Sequence, residues 1–432
     1  MRRYDSYKDS GVEWLGEVPS HWNLIPNKYI FKLRKNVVGK RSNEYDLLSL
    51  SLKGVIKRDM ENPEGKFPAE FDTYQEVKEG DFIFCLFDVE ETPRTVGLSS
   101  YRGMITGAYT IFETNNVDKK FIYYFYLNLD SDKRLKPLYK GLRNTISKET
   151  FFSFNTFIPP LSEQQKIAQF LDDKTAKIDQ AVDLAEKQIA LLKEHKQILI
   201  QNAVTRGLNP DVPLKDSGVE WIGQVPEHWE VKRFRNLFDF GKGLSITKEN
   251  LQDEGIPCVN YGEIHSKYGF EVIPERDALK CVDSKYLVFK NSMLNKGDFV
   301  FADTSEDIEG SGNFTYLNSS TRIFAGYHTI ITRLKITAIH RYIAYYFDSL
   351  SFRNQIRNKV KGVKVFSITQ SILKGTFVLL PNLKEQQQIA NYLDTQTAKI
   401  DQAIALKTAH IEKLKEYKSV LINNVVTGKV QV

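Results

Sequence analysis

Two loops of the sequence combine cationic, amide and hydroxyl side chains around a glycine. One loop is Lys140-Gly-Leu-Arg143-Asn144-Thr145, and the other is Lys361-Gly-Val-Lys364-Val-Phe-Ser367. Lysine, arginine and hydroxyl groups bind phosphate, arginine and lysine pair with guanine, and asparagine pairs with adenine. A glycine at the pivot would let such a loop follow a groove closely. These residues predict contact with a nucleic acid, although a solvated surface loop can have the same composition.

A third segment has the form of a turn that cradles phosphate with its backbone amides. It is Gly241-Lys242-Gly243-Leu244-Ser245 followed by Thr247 and Lys248, of which Lys242, Ser245 and Lys248 would supply side chains. A Gly-x-Gly alone is a weak signal, and an ordinary loop is the alternative. The remaining candidates are single residues that a plain surface would also carry: Lys53, Arg94, Arg102, Thr304, Ser305 and Arg322.

The sequence lacks the motifs that would carry catalysis. A methyltransferase acting on amino groups needs a Pro-Pro motif with a polar lead and an aromatic end, whereas the only Pro-Pro lies in Ile158-Pro159-Pro160-Leu161. No phosphate-binding G-x-x-x-x-G-K-[ST] and no H-E-x-x-H or paired-cysteine spacing is present. Asp81 and Asp298 each follow a glycine and are predicted to be turn residues ahead of a strand. We expect no catalytic residue, no metal site and no cofactor on this chain.

The framework that must position the candidate residues is written twice. Residues 9–22 return at 216–229 with 11 of 14 positions identical, and residues 163–181 return at 385–403 with 14 of 19 identical. The offsets, 216 − 9 = 207 and 385 − 163 = 222, are each close to half of the 432-residue chain. Because the residues between the repeated blocks mostly differ, one scaffold is expected to hold two different recognition domains.

Two long segments have apolar residues at helical spacing, whereas the rest of the chain has the short apolar runs of strands. Residues 161 to about 205 contain neither Gly nor Pro, and Ser162 with Gln165 predicts a capping box at their start. At 1.5 Å per residue this helix would be about 65 Å long. Apolar side chains recur every 3.5 residues in both helices, which predicts an antiparallel coiled coil in which the two seams cover each other. The seam comprises Leu171, Ile178, Val182, Ile189, Leu192 and Leu199, and Leu393, Ile400, Ile404, Ile411, Leu414 and Leu421.

These patterns predict an α+β chain with two mixed α/β domains separated by the helix pair and related by a pseudo-two-fold repeat. The first domain would occupy residues 1–160 and the second residues 207–382, with the long helices at 161–206 and 383–432. Residues 1–30 are predicted to be an irregular lead-in because they carry several Gly and Pro residues.

Composition is compatible with a globular protein that binds a polyanion. Lys and Arg number 60 against 54 Asp and Glu, so the formal charge is +6. This mildly basic balance permits nucleic-acid binding without requiring it. The three cysteines have no paired spacing, and neither a signal peptide nor an 18-residue apolar run is visible. We therefore expect a reduced, cytoplasmic protein that is not in a membrane.

Taken in order, these motifs resemble the specificity (S) subunits of type I restriction–modification systems over essentially the whole chain. Each long helix opens with a similar block, Pro159-Pro160-Leu-Ser-Glu163-Gln164-Gln165 and Pro381-Asn-Leu-Lys-Glu385-Gln386-Gln387. Each half begins with Gly-Val-Glu-Trp-x-Gly-x-Val-Pro-x-His-Trp, and residues 241–245, 255–262 and 297–301 are similar to target-recognition domains of the family.

The resemblance implies a subunit that reads a split, asymmetric site in double-stranded DNA, one half per variable domain, with the helix pair fixing the gap. Two modification (M) subunits would bind S-adenosylmethionine and methylate adenine, and restriction (R) subunits would use ATP and Mg²⁺ for translocation and cleavage. The repeated residues would dock the M subunits. They are Trp14, Trp22, Trp221, Trp229, Glu163, Gln164, Gln165, Glu385, Gln386 and Gln387.

For these docking residues the alternative is a structural role inside the domain. The tryptophans could anchor the lead-in segment, and helix-start chemistry alone explains Glu163 and Glu385. Two other functions also remain open from the sequence. One is a self-contained DNA nuclease or methyltransferase, and the other is a coiled-coil scaffold that binds only proteins.

Overall fold

The structure is a computed structural model that describes residues 2–60, 70–139, 144–362 and 364–432. It divides into two compact units. Unit 1 comprises Met1–Glu186 and Thr408–Val432, and unit 2 comprises Lys187–Lys407. Each long helix contributes residues to both units, so the units do not coincide with the four segments predicted from the sequence.

Unit 1 combines short strands with helices. Its strands are β1 (Tyr7–Asp9), β2 (Glu17–Pro19), β3 (Asn23–Pro26), β4 (Phe31–Arg34), β5 (Leu48–Ser51), β6 (Gly54–Lys57), β7 (Gln75–Val77), β8 (Phe82–Phe84), β9 (Val96–Leu98), β10 (Gly103–Ile105), β11 (Thr110–Thr114) and β12 (Asn155–Ile158). Its helices are α1 (Lys119–Ser131), α2 (Lys148–Ser153) and the first part of α3 (Leu161–Arg206).

The largest sheet of unit 1 has the order β4-β11-β8-β9 and is antiparallel throughout. Separate two-stranded sheets of unit 1 pair β1 with β2, β3 with β12, β5 with β6 and β7 with β10. A core of aromatic rings lies between the sheet, α1 and α2, where Phe31 makes ring contacts with Phe82, Phe84 and Phe151. Strands β1 to β3 lie within residues 7–26. The predicted irregular lead-in is therefore wrong, because its turn residues separate strands of three or four residues.

Unit 2 repeats this plan with more elements. Its strands are β13 (Leu214–Asp216), β14 (Gln224–Pro226), β15 (Glu230–Arg233), β16 (Phe238–Lys242), β17 (Ile256–Val259), β18 (Phe270–Val272), β19 (Cys281–Val282), β20 (Met293–Leu294), β21 (Phe299–Ala302), β22 (Thr304–Ser305), β23 (Phe314–Leu317), β24 (Ile323–Ala325), β25 (Thr329–Leu334), β26 (Phe366–Ser367) and β27 (Phe377–Leu380). Its helices are α4 (Phe234–Leu237), α5 (Tyr261–Ser266), α6 (His340–Asp348), α7 (Leu350–Arg357), α8 (Gln370–Lys374) and the first part of α9 (Leu383–Val426).

Two sheets form the body of unit 2. The first has the order β16-β25-β21-β23-β18, and the second has the order β19-β17-β24-β20. Pairs β17·β24 and β18·β23 are parallel, whereas the other pairs in these sheets are antiparallel. Phe234, Phe347 and Phe352 stack in the centre of the main core. The fold is therefore mixed α/β in both units, with two long helices, as the sequence predicts.

The predicted seam is buried or half-buried along both long helices. In unit 1, Leu171 and Ile178 of α3 share a core with Leu421 of α9. In unit 2, Leu393 of α9 shares a core with Ile200 of α3. These contacts bury the apolar stripe that a solitary amphipathic helix would leave in water.

Side-chain contacts in unit 2 define the relative direction of the two helices. Gln188 lies 2.6 Å from Lys407, and Lys196 lies 2.7 Å from Asp401. As residue numbers rise along α3, the partner numbers fall along α9, so the helices run antiparallel within this unit. The predicted capping box is wrong, because α3 begins at Leu161 and places Ser162 inside the first turn. Along the described ranges, no helix combines the length and the apolar content needed to cross a bilayer.

Candidate nucleic-acid interface

A repeated anchor, one copy in each unit, joins the head segment to the start of a long helix. In unit 1, Trp22 Nε1 donates to Glu163 Oε1 at 3.0 Å, and His21 Nε2 lies 2.7 Å from Oε2. In unit 2, Trp229 Nε1 donates to Glu385 Oε1 at 3.1 Å, and His228 lies 2.9 Å from Oε2. Each glutamate therefore binds an indole and an imidazole with its two oxygens.

Several docking residues are consequently structural. Trp22 and Trp229 have no exposed surface, so their rings are not available to a partner. Gln164 and Gln386 are also buried: each side chain donates to a proline carbonyl and accepts from a backbone amide, that of Asp118 or Ile339. Glu163 and Glu385 are engaged as described above. For Trp22, Trp229, Gln164 and Gln386 the docking interpretation is wrong, because burial and internal hydrogen bonds already account for them. Glu163 and Glu385 each keep 21% of their side-chain surface exposed, and their role in docking stays a prediction.

The other four docking candidates are accessible at least in part. Trp221 is exposed, and Gln165 and Gln387 are exposed on the first turns of α3 and α9. Trp14 is half-buried, with the guanidinium of Arg134 4.5 Å from its ring centroid. These residues remain candidates for partner contact.

The Gly-Asp turns that precede the central strands hold equivalent buried ion pairs. Asp81 accepts from Lys78 N at 2.7 Å and from Arg34 at 2.9 Å, and Asp298 accepts from Asn295 N at 2.9 Å and from Arg333 at 3.0 Å. Burial raises the pKa of both carboxyl groups, while their arginine partners act in the opposite direction. The prediction of turn residues is confirmed. Across the described residues no cluster of three or more His, Cys, Asp or Glu side chains could hold a metal ion.

In each unit a candidate loop pairs with the segment that follows the central strand. In unit 1, Ile146 N donates to Leu86 O at 2.7 Å, and Thr145 forms an antiparallel bridge with Phe87. Asn144 and Thr145 are exposed beside this bridge. Lys140 and Arg143 lie outside the described residues.

Unit 2 has the same junction. Ile368 N donates to Asp303 O at 2.7 Å, and β22 pairs with β26, placing Thr304 opposite Ser367. Lys361, Lys364 and Ser367 are exposed, and Thr304 is half-buried. Ser305 is buried, and its hydroxyl lies near Asp307, so its predicted role in direct contact is wrong. Two loops chosen independently from the sequence thus form one surface.

A cleft of about 620 Å³ adjoins this junction in unit 2. Its lining includes Tyr261, His265, Thr304, Asn313 and Val365. The His265 ring is held on both sides, with Nε2 2.8 Å from Thr304 O and Nδ1 2.8 Å from Asn313 Nδ2. Since a carbonyl only accepts, Nε2 carries the proton and Nδ1 accepts from the asparagine. Sequence reasoning missed this cleft because its residues are spread over more than 100 positions.

The Gly241 segment is not a phosphate cradle. Gly241 and Lys242 belong to β16 and pair with Ile331 and Ile330 of β25. At Gly243 a Cβ atom would overlap Gly326 O, so the glycine permits close packing of two backbones. The side chains of Lys242, Ser245 and Lys248 are nevertheless exposed and remain available for contact.

The remaining single candidates fall into two groups. Arg94 is half-buried, donates to Leu52 O at 3.0 Å and lies 3.6 Å from Asp130. Internal partners therefore hold its guanidinium, and its role in binding stays a prediction. Lys53, Arg102 and Arg322 are exposed. These three remain consistent with the prediction.

Comparison of this chain with models of known protein families shows which family it belongs to. The model described as "Type I restriction modification DNA specificity domain" matches residues 100–193 and 226–416, about two thirds of the chain. The chain belongs to this family. Its function is therefore DNA sequence recognition for a type I restriction–modification system.

Curated relatives of this specificity subunit have the same description. The type I restriction enzyme MjaVIII specificity subunit of Methanocaldococcus jannaschii is 24% identical over 77% of this chain and 75% of the relative. The putative MjaX specificity subunit of the same organism is 24% identical over 97% of this chain and 96% of the relative. The EcoKI specificity subunit of Escherichia coli is 28% identical over 61% of this chain and 56% of the relative.

Solved structures share the fold of this specificity subunit. A chain from a study of complex assembly and conformational transition of the type I R-M system has a TM-score of 0.70 at 12% identity, covering 96% of this chain and 99% of that one. The HsdS subunit from Thermoanaerobacter tengcongensis has a TM-score of 0.51 at 13% identity, covering 96% of this chain and 98% of that one.

Proposed function

We propose that this subunit recognises a bipartite, asymmetric DNA site and is itself without catalytic activity. Target-recognition domain 1, residues 1–160, would bind one half-site, and domain 2, residues 207–382, the other. The observation that carries the proposal is the repeated junction at the central strand, where Thr145 bridges Phe87 and Ser367 bridges Thr304. The same backbone geometry holds unlike side chains in the two units, and this is what reading two unlike half-sites requires.

The long helices would set the distance between the half-sites. Both α3 and α9 contribute residues to both units, and in unit 2 they are antiparallel. We propose that they form a continuous antiparallel coiled coil with a pseudo-two-fold axis. Four residues added to each helix would lengthen it by about one turn, roughly 5–6 Å, which corresponds to about one or two base pairs at roughly 3.4 Å each.

Partner subunits would supply the chemistry. Two M subunits would carry S-adenosylmethionine and methylate adenine, and R subunits would carry ATP and Mg²⁺ for cleavage. Exposed apolar side chains outside the seam support docking of a helical partner, because Leu184, Leu191 and Ile198 recur at intervals of seven on α3. Trp14, Trp221, Gln165 and Gln387 would contribute to the same contacts. The cytoplasm is the compartment where DNA and these partners meet.

Methylome sequencing of the host with and without this chain tests the proposal. The expected result is a single split motif whose adenine methylation disappears when the chain is deleted. A contiguous motif would contradict the bipartite reading. Turnover of DNA by the purified chain with only a metal ion or a methyl donor would support the alternative of a self-contained enzyme. Assembly with partners but no sequence preference would support the protein-only scaffold.

A further inference from the structure

Unit 2 exposes three consecutive large apolar side chains at one point of its surface, Leu287, Val288 and Phe289. Their exposed fractions are 47%, 75% and 53%. Single exposed apolar residues are common, but a contiguous patch usually marks a binding surface. These three residues are called the apolar tip below.

Hydrogen bonds fix the backbone on the N-terminal side of the apolar tip. Asp283 caps the turn by accepting from Lys285 N at 2.7 Å, and Phe289 N donates to Tyr286 O at 2.9 Å. The Tyr286 ring packs against the buried cluster that contains Leu244. The tip is therefore presented on an ordered 3₁₀ turn, Ser284–Val288, and its exposed side chains extend from an anchored backbone.

On the C-terminal side, the segment after the tip is hydrogen-bonded to β16, the strand that contains the candidate contact residue Lys242. Ser292 Oγ donates to Lys242 O at 2.9 Å, and Arg333 donates to Asn291 O at 3.0 Å and to Met293 O at 2.9 Å. Arg333 is itself fixed by Asp298. The segment that follows the tip is therefore fixed to the backbone of β16 at Lys242, whose side chain is exposed.

Charge around the tip favours a polyanionic partner. Residues 284–296 contain Lys285, Lys290 and Lys296 and no acidic residue. Lys290 follows the tip directly, Lys285 precedes it by two positions, and both are exposed. Apolar side chains flanked by cations match a duplex, whose stacked bases lie between two rows of phosphates.

The corresponding residues of unit 1 have the opposite character. Glu70, Phe71 and Asp72 lie as many residues before the Gly80-Asp81 turn as the tip lies before the Gly297-Asp298 turn. Phe71 is half-buried, with its ring 5.0 Å from that of Tyr74. Two carboxylates and an inward-packed ring are unsuited to approaching DNA, so the tip is a feature of unit 2.

We propose that the apolar tip acts as a wedge that enters the minor groove and partly unstacks one base step in the half-site bound by unit 2. The proposal rests on the proposed function, since it requires unit 2 to bind a half-site. Apolar side chains that insert between base steps kink the duplex, and flexible pyrimidine–purine steps deform most readily. The wedge thus selects a deformable step without a hydrogen bond to any base.

The test uses the full chain and a duplex carrying the methylome-mapped site, with 2-aminopurine placed in either half-site. Val288→Ser/Phe289→Ser removes the wedge, and Ile336→Ser, at another exposed apolar residue of unit 2, is the matched control. Stacking of a base on an aromatic ring is worth about tenfold in affinity. The double variant should therefore bind about tenfold more weakly and lose the 2-aminopurine fluorescence increase in the unit 2 half-site, whereas the control should match wild type.

A second variant separates the apolar contribution from the electrostatic one. Lys285→Gln/Lys290→Gln should reduce the slope of log K against log salt by about 1.8, at about 0.9 per phosphate contact. Val288→Ser/Phe289→Ser should leave that slope unchanged. The wedge is rejected if the double serine variant keeps wild-type circular dichroism, affinity and fluorescence, or if it loses only assembly with M subunits. A wild-type chain without preference for the mapped site would reject the proposed function itself.

Discussion

Lys196 Nζ lies 2.7 Å from both carboxylate oxygens of Asp401. The same pair occurs in unit 1 with the helices exchanged, where Lys418 lies 2.7 Å from both oxygens of Asp179. The two lysines lie 222 positions apart in the sequence (418 − 196), and so do the two aspartates (401 − 179). Each pair joins α3 to α9 beside the apolar seam and so specifies their register.

The Lys196–Asp401 pair is expected to contribute modestly to stability. Both side chains are partly exposed, so a double-mutant cycle with Lys196→Met and Asp401→Asn should give a coupling energy of about 0.2–1 kcal/mol. The cycle is measured by denaturant unfolding of the full chain at low and high salt. Coupling that persists undiminished at high salt would contradict a solvent-screened pair.

Removing the glutamate that binds Trp22 or Trp229 should lower the free energy of unfolding by more than removing the Lys196–Asp401 pair. Glu385→Ala leaves the buried indole N–H of Trp229 without its acceptor, and an unsatisfied buried donor costs about 1–3 kcal/mol. Glu163→Ala should have a similar effect through Trp22. Glu186→Ala, at an exposed position of α3, is the matched control. Unfolding midpoints measure the losses, and equal midpoints for Glu385→Ala and the control would show that the anchor is dispensable.

Alkaline pH should destabilise the fold through buried tyrosines. Burial raises the pKa of Tyr126, Tyr342 and Tyr346 above the usual value, so these phenols stay neutral in the folded chain. Stability is full below about pH 10, where unfolded tyrosine begins to ionise, and falls as pH rises further because only the unfolded state releases these protons. Phenolate absorbance should show fewer titrating tyrosines than the same chain in urea. Simultaneous titration of all 21 tyrosines near pH 10 without unfolding would contradict this.

Phosphate contacts by the second candidate loop should appear in the salt dependence. Lys361→Gln and Lys364→Gln should each reduce the slope of log K against log salt by about 0.9. Lys413→Gln on α9 is the control, since this exposed lysine lies on a long helix outside the candidate loops. Binding is measured at four or more salt concentrations with the mapped duplex. Parallel lines for the loop variants and wild type would remove these lysines from the interface.

Long helices were predictable because their signal is local. The seam residues repeat at 3.5 positions, Gly207 follows the last turn of α3, and neither feature depends on distant parts of the chain. The burial of Trp22 was not predictable, since it depends on Glu163, which lies 141 positions away. The role of the Gly241 segment was not predictable for the same reason, because its glycines pair with β25 and pack on Gly326, both distant in the sequence.

The candidate interface was predictable in composition but not in assembly. Cationic and hydroxyl residues marked the loops at Thr145 and Ser367, yet only the fold shows that each loop bridges the end of a central strand. Arg94 had the same composition signal and is bound internally to Asp130 and Leu52. Sequence type indicates which side chains can bind phosphate, whereas burial decides which of them are free to do so.

Exchange of residues 208–380 for the corresponding segment of another specificity subunit tests the central claim most directly. The hybrid, expressed with its M subunits, is examined by methylome sequencing. Two separate recognition domains predict that one half-site changes to that of the donor while the other half-site and the spacer length stay as they were. A simultaneous change in both half-sites would contradict the account.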